Sequence, residues 1–120
     1  MSGYRDLQVY EKSYKAAFSI YRVSREFPKE EQYGLTSQIQ RAATSIPLNI
    51  AEGYGKRESQ SEFRRYLMIA IGSSDEISVL LDFAKDLGYM DEKRYAKGKE
   101  AYEEIGKMLN KLIQEVGSRI

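Results

Sequence analysis

The 120-residue chain carries 19 basic and 18 acidic side chains, a formal charge of +1, and is 42% hydrophobic and 31% charged: one globular domain over residues 1–120 with a core of its own, neither disordered nor strongly basic. It has no cysteine and no histidine, which excludes disulfides, thiolate nucleophiles, Cys/His metal sites and every imidazole base, so no metal or cofactor is expected and the balance tips to a non-enzymatic binding or structural protein. No apolar run nears the ~18 residues of a membrane span, and the opening residues lack the apolar stretch of a secretory signal, so a cytoplasmic, membrane-free protein is expected.

The first predicted helix runs from about Tyr4 to Phe27. Leu7, Tyr10, Tyr14, Ala17, Phe18 and Tyr21 recur at spacings of three and four, the stripe of an amphipathic helix. Pro28 ends it, because the residue before proline avoids helical angles. The second helix is predicted over Leu35–Glu52, with Ile39, Ala42, Ala43, Ile46 and Ile50 as its stripe. Pro47 removes one backbone donor and predicts a kink, while Thr44 and Ser45 hydroxyls are placed to serve nearby backbone groups. Gly53 and Gly55 are read as ending this helix in a tight loop.

A third helix is predicted from Ser59 to Leu87. Ser59-Gln60-Ser61-Glu62 matches a capping box, and Gly88 supplies the stop. A fourth opens on Asp91 as N-cap. Tyr95, Gly98, Tyr102, Ile105, Leu109, Leu112 and Val116 repeat along it until Gly117. No segment reads as a strand. Four helices with three short connections imply an all-α, up-down-up-down antiparallel four-helix bundle.

Residues 66–71 read Tyr-Leu-Met-Ile-Ala-Ile, apolar all the way round a helix. A bundle helix ordinarily keeps a polar outer face. Either this stretch is wrapped by aromatic cover, or it meets another subunit. The second reading makes Leu48, Tyr66, Met68, Ile69 and Ile71 a candidate oligomer interface. Gly72-Ser73-Ser74 interrupts the same helix and is read as local close packing.

Gly53-x-Gly55 lacks the third glycine and the preceding strand of a dinucleotide fingerprint, and Gly55-Lys56-Arg57 lacks the P-loop frame. The carboxylates at Asp75, Glu76, Asp82, Asp86, Glu103 and Glu104 alternate with lysines and read as solvated helix faces. Glu76, beside Ile77, and Asn49 and Glu52 are the ones placed to point inward or into a seam. Residues 1–65 hold 11 basic and 8 acidic side chains, whereas residues 66–120 hold 8 and 10. Arg41, Lys56, Arg57, Arg64 and Arg65 form the candidate RNA-binding set, near a helix N-terminus that itself attracts anions. Surface solubility and ion pairing with Glu58 and Glu62 is the competing reading.

The segment Tyr33 to Gly55, with its Gln38-Ile39-Gln40-Arg41-Ala42-Ala43 and Ile46-Pro47-Leu48-Asn49-Ile50-Ala51-Glu52-Gly53 cores, is distinctive. It resembles the signature of the bacterial four-helix-bundle family encoded in intervening sequences of 23S ribosomal RNA genes. The resemblance extends upstream to Leu7, Val9, Tyr10 and Phe27-Pro28. Downstream it takes in Glu62-Phe63, Tyr66-Leu67, Ala70, Gly72-Ser73, Glu76 and Leu87-Gly88-Tyr89. It implies a bundle assembled as a ring-shaped homopentamer, with no catalytic residues. The family also includes accessory proteins of diversity-generating retroelements, which bind a reverse transcriptase and RNA through basic surface. The near-neutral charge here departs from that subgroup and favours the ribosomal type. The expectation is therefore a homo-oligomer that binds structured RNA, with a protein-interaction scaffold or the retroelement role as alternatives.

Overall fold

The computed structural model describes residues 3–117. They form four helices: α1 (Gln8–Ser24), α2 (Leu35–Gly55), α3 (Gln60–Asp86) and α4 (Glu92–Gly117). Short 3-10 turns at Tyr4–Asp6 and Lys29–Glu31 complete the elements, and no strand occurs among the described residues. The helices pack as a bundle of 47 × 24 × 23 Å. The core includes Ile39, Ile46, Ile50, Leu67, Ile77, Leu81, Ile105 and Leu109, all essentially inaccessible.

The first helix begins later and ends earlier than its periodicity suggests. Leu7 is extended, so Tyr4–Asp6 is a separate turn, in which the Gly3 N–H donates to Asp6 at 3.1 Å. The buried stripe of α1 is also rotated. It consists of Val9, Ser13, Ala17, Ile20 and Ser24, whereas Tyr14 and Phe18 stay about half exposed and Tyr21 stays accessible. Small residues let α1 approach its neighbours closely. The serine hydroxyls cost little inside, because Ser13 donates to Tyr10 O at 3.0 Å and Ser24 to Tyr21 O at 3.3 Å, while Ser24 Oγ also accepts from Gln40 at 2.9 Å.

The α2 stripe of Ile39, Ala42, Ala43, Ile46 and Ile50 is buried as expected. The helix is continuous through Pro47 and reaches Gly55. Thr44 Oγ1 donates to the carbonyls of Gln40 and Arg41, and Asn49 donates to Ser45 O at 2.8 Å. Gly53 does not end the helix. It is buried, and a Cβ there would lie 2.7 Å from Tyr66 Cβ. Its role is to let α3 pass close to α2. Eight residues back along α2, Ser45 Oγ accepts from Ser73 Oγ at 2.9 Å.

Ser59 caps α3 by accepting the Glu62 N–H at 3.3 Å. The reciprocal half of the expected capping box is replaced: the Glu62 carboxylate turns to Arg65. Gly88, at φ 83°, closes α3 in the left-handed conformation that a side chain would resist. Asp91 caps α4, accepting the Arg94 N–H at 2.7 Å. Between α3 and α4, Ser74 donates to Tyr102 O at 3.1 Å, and Asp82 accepts from Tyr95 at 2.6 Å and Lys99 at 2.9 Å. Gly72, expected to be a close-packing point, instead faces open space; its neighbours Ser73 and Ser74 are the buried pair.

Candidate functional site

The end of α2 and the first two turns of α3 bring cations onto aromatic rings. Arg57 lies with its guanidinium carbon 4.2 Å from the centre of the Tyr54 ring, and its Nη1 donates to Tyr54 O at 2.9 Å. Tyr54 in turn sets its ring edgewise to Phe63, with centroids 6.0 Å apart. Tyr66 receives Arg65 at 4.5 Å and Lys56 Nζ at 5.9 Å. Each contact of this kind stabilises by ~0.5–1 kcal/mol at an exposed site, enough to hold a long side chain in place.

Arg65 is fixed from a second direction. Its Nε and Nη2 donate to the Glu62 carboxylate at 3.1 and 3.3 Å. That hydrogen bond raises the arginine pKa above its ordinary value and lowers that of Glu62. Glu62 therefore offsets part of the positive charge, as the competing reading expects of it, whereas Glu58 makes no ion pair among the described residues. Lys56 and Arg57 make no ion pair among the described residues.

The other two members of the basic set lie apart. Arg64 is exposed but sits toward α4, its guanidinium carbon 4.0 Å from where a Gly117 Cβ would be. Arg41 is on α2 fifteen residues before Lys56, which caps that helix, a separation of ~22 Å at the rise of an α-helix. The geometry thus gathers Lys56, Arg57 and Arg65 with Tyr54 and Tyr66, and leaves Arg41 elsewhere. Tyr54 was not singled out by sequence reasoning. The signal was present in Tyr54-x-x-Arg57, a spacing of about one turn that brings two side chains together, here across the turn that follows α2.

Two apolar surfaces flank the bundle. The first is a groove of about 630 Å³ between α1 and α2, whose walls include Tyr10, Tyr14, Phe18, Tyr21, Pro47 and Leu48. Its aromatic wall is continuous: Tyr4 meets Tyr10 at 4.8 Å, Tyr10 meets Tyr14 at 5.8 Å, and Tyr14 meets Phe18 at 5.3 Å between centroids. Leu48 on its rim is 59% exposed. The second surface is the outward side of α3, where Met68, Ile69, Val79, Phe83 and Leu87 are each 41–57% exposed. Of the candidate interface set, Leu48, Met68 and Ile69 are open to solvent. Tyr66 and Ile71 are half-buried, Ile71 against the core.

The carboxylates lie at the surface. Glu104 pairs with Lys12 at 3.2 Å, Glu103 with Lys107 at 3.5 Å and Asp82 with Lys99 at 2.9 Å. Glu76 and Glu52 are exposed, not inward. Among the described residues no group of His, Cys, Asp or Glu is arranged to hold a metal ion, and no helix is long and apolar enough to cross a membrane.

The chain resembles a solved protein of unknown function from the S23 ribosomal protein family of Bacteroides thetaiotaomicron VPI-5482. The two are 27% identical and superpose with a TM-score of 0.80 over 88% of this chain and 95% of the other. No curated protein matches the chain. A family model described as 23S rRNA-intervening sequence protein matches residues 5–111. On that match, spanning most of α1 to α4, the chain belongs to the 23S rRNA-intervening sequence protein family.

Proposed function

We propose that the protein is a non-enzymatic, cytoplasmic helical bundle that self-assembles and uses one end of the bundle to bind structured RNA. The observation that carries the RNA reading is the cluster of Lys56, Arg57 and Arg65 on the rings of Tyr54 and Tyr66. Cations that ride on aromatic faces suit unpaired RNA, in which phosphates and splayed bases are presented together. Membership of a family named for 23S rRNA makes that RNA the first to test.

Self-assembly is supported by the two unlike apolar surfaces, the α1–α2 groove and the outer face of α3. Surfaces that differ from each other pair head to tail, and head-to-tail contacts that close make rings. An up-down-up-down bundle in a ring-shaped homopentamer fits this arrangement. Ring closure would repeat a modest basic cluster once per subunit, and repetition multiplies the strength of weak sites.

The test is a titration of labelled 23S rRNA fragments at low and near-physiological salt, with wild type and with Arg57→Ala/Arg65→Ala. Saturable binding at the higher salt is expected. The double variant should bind at least tenfold more weakly, with a salt slope shallower by ~0.7–0.9 for each phosphate it no longer neutralises. Equal affinity for wild type and variant overturns the cluster as the RNA site. Absence of binding at near-physiological salt overturns RNA recognition and turns the exposed apolar faces toward a protein partner.

A further inference from the structure

We propose that Arg41 of one copy pairs with Glu76 of the next, and that this ion pair sets the register in which the α2 side of the chain docks on the outer face of α3. The inference rests on the self-assembly reading above and assigns Arg41, which stands apart from the RNA cluster, a different partner: a second copy of this chain.

The first argument is spacing. Arg41 and Leu48 are seven residues apart on α2, and Ile69, Glu76 and Phe83 follow one another at sevens on α3. Seven residues are about two turns and return to the same helix face within ~20°. Leu48, Ile69 and Phe83 are exposed apolar side chains, and Arg41 and Glu76 are exposed charges in line with them.

The second argument is height along the bundle. The Ser45–Ser73 hydrogen bond marks one level shared by α2 and α3. Gly53 packs on Tyr66, so a step forward along α2 matches a step back along α3. Leu48 then lies ~4.5 Å to one side of that level and Ile69 ~6 Å to the same side. Arg41 lies ~6 Å to the other side and Glu76 ~4.5 Å. Rotation about an axis parallel to the helices preserves height. Docking by such a rotation sets Leu48 against Ile69 and, two turns along, Arg41 against Glu76: apolar on apolar, cation on carboxylate.

The third argument is what these charges lack. Arg41 and Glu76 make no side-chain hydrogen bond or ion pair among the described residues, although they lie on faces flanked by exposed apolar groups. Two copies meeting α3 on α3 would crowd Asp75 and Glu76 against their own duplicates, and like charges brought together are unfavourable. The α2 side supplies the complementary charge. Gly72, in open space one turn before Glu76, leaves room for a neighbouring side chain.

The experiment is sedimentation velocity on wild type, Arg41→Glu, Glu76→Arg and the double Arg41→Glu/Glu76→Arg, at equal concentration in about 0.15 M salt. Circular dichroism on each sample checks folding, which exposed substitutions should leave intact. Wild type is expected to be oligomeric. Each single variant should dissociate at a concentration about tenfold higher, and the double variant should return to within a few-fold of wild type. An oligomer whose single variants associate like wild type, or whose double variant is no better than the singles, overturns the pair and leaves self-assembly standing. A monomeric wild type overturns both.

Discussion

Tyr102 gives the sharpest test of the packing. It sits on α4, 3% exposed, and its phenolic oxygen has no hydrogen-bond partner. Its ring helps to line a groove of about 560 Å³ between α1 and α4. An unpaired buried hydroxyl costs ~1–3 kcal/mol of desolvation that phenylalanine would not incur, while the ring would keep its contacts. Tyr102→Phe should therefore stabilise the fold by about 1–2 kcal/mol. With ~2.1 cal/mol/K of unfolding entropy per residue, a chain of this length gains ~4 °C in Tm per kcal/mol, so a rise of ~4–8 °C is expected. The assay is a calorimetric melt at neutral pH, with wild type and variant at the same concentration, because the proposed self-assembly would make Tm concentration-dependent. Tyr95→Phe is the control of opposite sign. Its hydroxyl donates to Asp82 at 2.6 Å, so removing it should lower Tm. A Tyr102→Phe protein that melts at or below wild type would show that the hydroxyl is satisfied and refute the reasoning.

Two further outcomes follow from the same contacts. Gly53→Ala should destabilise the bundle by ~1–3 kcal/mol despite alanine's better helix propensity, because the new methyl would meet Tyr66 Cβ at 2.7 Å; urea unfolding with an unshifted midpoint would contradict the close α2–α3 approach. Alkaline pH should also unfold the protein. The hydrogen bond to Asp82 pushes Tyr95 up to about 12, and burial pushes Tyr102 higher still. The unfolded tyrosines ionise near 10 while these two keep their protons in the fold, so the stability they supply is whole below about pH 10 and drains away as pH rises toward about 12. Absorbance at about 295 nm should show Tyr95 and Tyr102 as the last tyrosines to titrate, together with unfolding, and a stability that stays flat from about pH 9 to 12 would count against both shifts.

The four helices were legible because each carries a period that only a helix satisfies. The α2 stripe from Ile39 to Ile50 and the α4 series ending at Val116 needed no tertiary information. The first helix shows the limit of that signal. Leu7, Tyr10, Tyr14, Phe18 and Tyr21 are the larger side chains, so hydrophobicity alone centres the stripe on them, yet the packed face belongs to Ser13, Ala17 and Ser24. Close approach between helices rewards small side chains, and no hydropathy pattern registers that reward. Gly53 failed for a related reason. A glycine near a helix end looks like a terminator until the neighbour it admits, Tyr66, is in place. In the basic set, the short span from Lys56 to Arg65 kept three of the cations together. Helix adjacency groups Arg41 with them, but fifteen residues of rise carry it most of the way to the other end of α2. Over residues 66–71 the sequence shows more apolar side chains than one core face can use, and only the packing tells the covered ones from the open ones.

The groove beside Tyr102 also bears on how the bundle opens. Across it, α4 is bridged to α1 by one ion pair, Lys12–Glu104, and to the turn just after α1 by another, Arg94–Glu26, and such pairs near the surface typically contribute ~0–1 kcal/mol each. The first helix is thus held chiefly by its packing on α2, while α2, α3 and α4 are tied together by the Ser45–Ser73 and Ser74–Tyr102 hydrogen bonds and the deepest aliphatic side chains. Local opening follows the weakest seam. The α1 amides should exchange with solvent ahead of those in α3, and a second copy seated in the α1–α2 groove would slow that exchange without touching a single core residue.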